Sequence, residues 1–203
     1  MSNEKEDFFD FAKNGGLLEV FAVVSDFVTV VPIASAIINS AKYGIYLREK
    51  IFLEKFVKLL ERLRSGFKDE ADSKRFQDFI QSNKSNDRFN TNIVILIDRM
   101  DRIEKSDIIA NILLEMSRGS LTYKEGMRLM SMVDRVYFED LEYLKKFKDG
   151  VQRENSLIAQ NLMIAGFLSD GGLDGGDWDD PLSSGTIYVM NIYGEKMKDL
   201  ILK

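Results

Sequence analysis

Cysteine and histidine are both absent from this 203-residue sequence. That removes disulfides, thiolate nucleophiles, His-based triads, zinc sites with Cys or His ligands, and imidazole acid–base chemistry. Carboxylates, Lys, Arg, Ser, Thr and Tyr remain, but no constellation of them names a nucleophile, a base or a phosphate cradle, and neither a GxGxxG nor a P-loop pattern occurs. The expectation is a protein that is not an enzyme, with no catalytic, cofactor-binding or metal-ligating residues.

The polar residues whose setting is informative lie in an apolar stretch. Residues 20–41 are 22 positions in which Asp26 is the sole ionisable group and 15 are apolar. The length suits a bilayer span of about 20 residues. Ser25, Asp26, Thr29, Ser35, Asn39 and Ser40 make it a poor single span, because a charge at the centre costs at least about 2.5 kcal/mol on insertion scales. Two shorter helices meeting near Pro32, as an inserting hairpin or an oligomeric bundle, fit better. Ala36, Ser40 and Gly44 fall four apart on one helix face, which allows close helix contact in lipid. Asp26, Ser35 and Asn39 could line a wet interior. The alternative is that residues 17–41 form the buried hairpin of a soluble helical domain.

A second polar cluster lies near the C-terminus. Asp170, Asp174, Asp177, Asp179 and Asp180 crowd a glycine-rich segment around the single tryptophan, Trp178. Calcium binding needs a defined ligand spacing that this run lacks, so a solvated loop is the simpler reading. Trp178 is a candidate partner contact, since a lone exposed Trp can anchor an interface.

These groups must be positioned by helices for the most part. Only Pro32 and Pro181 are prolines. Pro32 suits a first helical turn, and one helix could run from there to about residue 65, roughly 50 Å at about 1.5 Å per residue. Its second half is amphipathic, carried by Ile51, Phe52, Phe56, Leu59, Leu60 and Leu63. A charged segment follows, with Phe76, Phe79 and Ile80 marking a short helix and residues 82–87 a loop. Residues 88–103 carry a strong apolar stripe. Ser106 is a candidate cap for the next helix, which Gly119 ends. Thr122 and Glu125 then form a capping box that opens a helix leading on towards Phe147.

The tail differs: a helix over residues 156–167, a loop over 169–185, a strand over 186–192 and a closing helix from Tyr193. Helix, strand, glycine-rich turn, strand and closing helix is the outline of a winged helix. The predicted fold is mainly α: an N-terminal apolar helical hairpin with one long helix (residues 1–67), a helical bundle (68–150) and a small winged-helix-like α+β segment (151–203).

Charge narrows the partners. The whole chain carries −5, and residues 136–203 carry seven basic against twelve acidic residues. A wing this acidic is repelled by phosphates, which argues for protein contact over DNA contact.

The segments YGIYLREKIFLEKFVKLLERL, IVILIDRMDRIEKSDIIANIL, GSLTYKEGMRLMSMVDRVYFEDL and TIYVMNIYGEKMKDLI together resemble a widespread group of uncharacterised bacterial proteins of phage-defence islands. The likeness covers about residues 30–202 and is similar in arrangement to membrane effectors such as that of the Hailong system. It implies a non-enzymatic antiphage effector at the bacterial inner membrane. Such a protein homo-oligomerises and forms or perturbs a channel on a nucleotide-derived or short DNA signal. The alternative is a soluble cytoplasmic adaptor or regulator that uses its tail to bind protein.

Overall fold

The computed structural model describes residues 47–83, 87–176, 179 and 184–202. The expected apolar hairpin and the start of the long helix lie outside these residues. Within them the chain is mainly helical, with eight helices and a small three-stranded antiparallel sheet near the C-terminus. Its contacts divide it at Gly126/Met127 into two compact units, whereas the expected divisions after residues 67 and 150 follow composition.

The first unit holds α1 (Leu47–Gly66), α2 (Glu70–Asn83), α3 (Asp87–Arg99) and α4 (Lys105–Ser117). The apolar stripe of α1 becomes the floor of the core: Phe56, Leu59 and Leu63 are fully buried, and α1 packs chiefly on α4. Each such side chain contributes roughly 1.5–3 kcal/mol of burial. Phe76 and Ile80 of α2 and Phe89, Ile93 and Ile97 of α3 close over it.

Helix boundaries correct several expectations. Helix α2 continues to Asn83 and α3 begins at Asp87, so the expected loop over 82–87 is shorter. Helix α3 stops at Arg99 rather than residue 103. Ser106 does not cap α4: the helix begins at Lys105, and the Ser106 hydroxyl is buried without a hydrogen-bond partner. The reason is that the preceding turn already supplies acceptors. The N–H groups of Lys105, Ser106 and Asp107 donate to the carbonyls of Arg102, Ile103 and Glu104 at 3.0–3.3 Å, leaving a side-chain cap nothing to satisfy.

The C-terminal end of α4 behaves as expected. Gly119 N–H donates to Met116 O and Ser120 N–H to Glu115 O, at 3.1 and 3.0 Å, the paired bonds of a Schellman stop. The capping box is also present, with Thr122 N–H donating to Glu125 Oε2 (2.9 Å) and Glu125 N–H to Thr122 Oγ1 (3.3 Å). It opens α5 (Tyr123–Arg135), within which the two units meet in sequence.

Buried charges tie the first unit together. Asp72, fully buried near the start of α2, accepts from Arg118 Nε at 3.0 and 3.2 Å, from Lys68 N–H and from Arg75. Arg118 also donates to the Gly66 carbonyl (2.7 Å) and to Glu115 (2.9 Å), so one guanidinium joins the ends of α1, α2 and α4. About three turns earlier on α1, Lys55 Nζ donates to the Asp98 carbonyl at 2.9 Å. Burial pushes the Lys55 ammonium below the usual lysine range, against the opposing pull of Asp98 and Asp101.

The second unit contains the rest of α5, then α6 (Phe138–Tyr143), β1 (Gly150–Val151), α7 (Ser156–Ala165), β2 (Leu168–Asp174), β3 (Gly185–Met190) and α8 (Ile192–Ile201). The single helix expected towards Phe147 is interrupted at Tyr137, whose backbone is extended. The segment expected as a loop from residue 169 starts as strand β2, antiparallel to β3 with Leu168 opposite Met190 and Asp174 opposite Gly185. The expected strand over 186–192 is β3, ending at Met190, and α8 starts at Ile192. The sheet order is β1-β3-β2, and the two-residue β1 had no sequence signal.

Two glycines explain why β2 hides in the sequence. A Cβ at Gly171 would crowd the Ile187 and Val189 side chains of β3, and Gly172 has φ +106°. Between Asp170 and Leu173 the register slips by one residue, a bulge that needs such backbone.

Candidate functional site

Helix α7 and its surroundings in the second unit are the strongest candidate. Its sequence, SLIAQNLMIA, contains no charged residue, unlike every other helix among the described residues. One face builds the core through the buried Ala159, Leu162 and Ala165. The opposite face presents Leu157 and Ile164, 68% and 71% exposed. They lie seven residues apart, two helical turns, with Gln160 and Asn161 between them.

The helix is fixed at its C-terminal end. Gly166 N–H donates to Met163 O and Phe167 N–H to Leu162 O, both at 2.9 Å, which stops α7 with Phe167 buried beneath it. Asn191 then links this stop to α8. Its Nδ2 donates to the Gly166 carbonyl (2.9 Å), and its Oδ1 accepts from Tyr193 and Gly194 N–H (2.9 and 3.1 Å) as the cap of α8. Arg128 of α5 covers the Tyr193 ring at 5.4 Å.

Beside α7 runs an open groove of about 340 Å³. Tyr137 lines it and is 69% exposed, because the extended residue between α5 and α6 turns outward. Asn161 Nδ2 donates to Asp140 Oδ2 at 2.9 Å across the groove, and Arg135 and Ile164 complete its sides. The result is a partly apolar surface with a tyrosine, an arginine, a carboxylate and a side-chain amide around it. Such a surface suits protein contact.

The hairpin after α7 is acidic where it is described. Asp170 and Asp174 are exposed, and each accepts a backbone N–H two residues on, from Gly172 (2.7 Å) and Gly176 (3.0 Å). Leu173 stands between them, 82% exposed. These carboxylates are spent on shaping the turn. Among the described residues no group of three or more His, Cys, Asp or Glu could hold a metal ion.

Asp26, Ser35, Ala36, Asn39, Ser40, Gly44 and Trp178 all lie outside the described residues, as do Asp177 and Asp180. Leu157 and Ile164 are not among the residues expected from the sequence to act, and Tyr137, expected to continue an apolar helix face, is exposed. Their signal was available: a ten-residue helix with no charge, carrying apolar residues on more than one face, exceeds what a single core contact can cover. Comparison with protein-family models, with curated proteins and with solved structures finds no match to this chain.

Proposed function

We propose that this protein is a non-enzymatic interaction protein whose C-terminal unit, winged-helix-like in its order of helix, strand, acidic turn, strand and helix, docks onto protein rather than nucleic acid. One observation carries the reading: the helix ahead of the acidic hairpin has no cation and exposes Leu157 and Ile164. A helix that enters a DNA groove relies on Lys and Arg to neutralise phosphates and read base edges. An uncharged helix beside Asp170 and Asp174 cannot neutralise phosphates.

The test pairs two measurements on the full chain. Fluorescence anisotropy with duplex and single-stranded DNA at about 50 mM salt, where phosphate contacts are strong, is expected to show no complex. Photo-crosslinking from position 157 in producing bacteria is expected to give a discrete protein adduct identified by mass. A DNA complex that weakens steeply with salt overturns the reading.

A second reading is favoured by the sequence of residues 20–41. In it, the chain is an antiphage effector of the bacterial inner membrane that homo-oligomerises, its hairpin entering the bilayer in answer to a nucleotide-derived or short DNA signal. Among the described residues no helix is long and apolar enough to cross a membrane, and the hairpin lies outside them. Asp26, Ser35, Ala36, Asn39, Ser40 and Gly44 would form its oligomeric face. Replacing Gly44 with Leu blocks close helix approach and is expected to abolish toxicity at unchanged expression; full toxicity counts against this reading.

A further inference from the structure

A second groove of the C-terminal unit, of about 610 Å³, opens where β1 leaves the sheet. Strand β1 ends at Val151, opposite Ile187, and the chain then passes Arg153 to reach α7 at Ser156. Across from this departing segment stand Ser184 and, on β3, Thr186 and Tyr188.

The groove gathers hydrogen-bond donors that have no acceptor. Helix α7 is uncapped: the Asn155 side chain makes no cap hydrogen bond, and no acidic residue stands in the first turn. The N–H groups of Ser156, Leu157 and Ile158 find no acceptor among the described residues. On β3, Met190 N–H donates to Asp149 Oδ1 (2.8 Å), towards the β1 side. Strand N–H groups repeat their direction every second residue, so Thr186 turns its N–H to the same edge, past the end of β1. No described group accepts it.

Tyr188 adds a donor from below. It is only 7% exposed, and its hydroxyl has no hydrogen-bond partner among the described residues, although a buried tyrosine usually finds one. Among those residues the fully enclosed side-chain atom without a partner is Ser106 Oγ. The Tyr188 hydroxyl is therefore not enclosed, and it opens onto the groove that the residue lines. Gln152 offers the donors nothing, since its Oε1 already accepts from Tyr143 and its Nε2 donates to the Lys148 and Gly150 carbonyls.

We propose that this groove binds a carboxylate, carried by a small organic acid or by the C-terminus of a peptide. Unpaired donors select an anion, and charge selects a singly charged one. Of the described lining residues Arg153 is the one cation, and exposed Glu154 opposes it. A phosphate monoester, with a charge of about −1.5 to −2 at neutral pH, meets too little positive charge there. A carboxylate carries one charge and about four acceptor sites, which the Tyr188 hydroxyl and the first-turn N–H groups of α7 can fill. A peptide end gains the Thr186 N–H as a strand-edge bond as well.

An amide NMR titration of the full chain at constant ionic strength tests the site, with sodium acetate, sodium phosphate and acetamide as probes. Acetate is expected to shift the Ser156, Leu157, Ile158 and Thr186 signals saturably between about 1 and about 100 mM, the range of a few hydrogen bonds to a small ion. Phosphate shifts them less, and acetamide leaves them in place. Tyr188→Phe keeps the ring in the core and weakens acetate about tenfold, the scale of one hydrogen bond to a charged group. Ser156→Asp puts the chain's own carboxylate at the same helix end, which stabilises the helix, and abolishes the acetate response in a folded protein. N-acetyl-dialanine and its C-terminal amide separate the two sources. A free acid tighter than acetate supports a peptide end; one equal or weaker supports a small organic acid. An amide that binds as well as the acid, a stronger response to phosphate than to acetate, or no saturable shift with any carboxylate overturns the site. So does acetate affinity unchanged by both substitutions. The docking face of Leu157 and Ile164 is read by crosslinking instead, so either reading can fail alone.

Discussion

Asp72 shows how far a single residue can depart from its sequence setting. It lies in a polar, charged segment and reads as surface, yet it is fully buried and holds a bidentate contact with Arg118, 46 residues away. No local pattern announces that contact, because the pairing depends on how α1, α2 and α4 come together. The hydrogen bond from Arg118 holds the Asp72 carboxyl well below the usual carboxylate range, outweighing burial, which pushes the other way. The folded-state value lies below the unfolded one of about 3.9. The pair's contribution is therefore full above that pH and is lost as pH falls through the folded-state value. Asp72→Asn removes one of the two carboxylates on Arg118, which keeps Glu115 and the Gly66 carbonyl, and is expected to cost about 1.5–3 kcal/mol in urea unfolding at neutral pH. Between pH 5 and pH 2 the wild-type melting temperature should fall more than that of the variant. Parallel falls would show that the carboxylate's ionisation carries no such stability.

Elements were legible where local chemistry decides them and illegible where a distant partner does. Gly119 and the Thr122–Glu125 box mark real helix ends because their hydrogen bonds are made within a few residues of sequence. Ser106 misled because backbone carbonyls of the preceding turn took the donors that a cap would serve. Strand β2 belongs to the expected winged-helix outline, but no residues mark it: Asp170, Gly171 and Gly172 have poor strand propensity, and pairing with β3 extends them. The uncharged α7 was read as a helix, but its two-faced apolar pattern became meaningful only once one face was seen to be used. The capping box allows a quantitative check. Thr122→Ala removes the hydroxyl that accepts the Glu125 N–H, and should lower stability by about 1 kcal/mol in chemical denaturation. Thr122→Ser should retain most of it. Equal losses in both would mean that the threonine methyl, rather than the cap, matters there.

Across the whole molecule, apolar character and charge are segregated along the sequence. Residues 20–41 hold one ionisable group, whereas residues 136–203 hold nineteen charged ones. A docking tail and a membrane element are compatible on one chain, since holding a docking site at a surface raises its effective concentration for a partner there. The membrane reading must overcome Asp26. Insertion of that carboxylate at mid-bilayer costs at least about 2.5 kcal/mol, a cost that falls if Asp26 faces a polar interior shared between helices. Liposome flotation measures the balance directly. The membrane reading predicts that the full chain rises with the lipid, that a chain beginning at Lys42 stays below, and that Asp26→Leu floats at least as well as the wild type. A full chain that remains at the bottom, folded and detergent-free, places residues 17–41 in a protein core and leaves the docking tail as the functional surface.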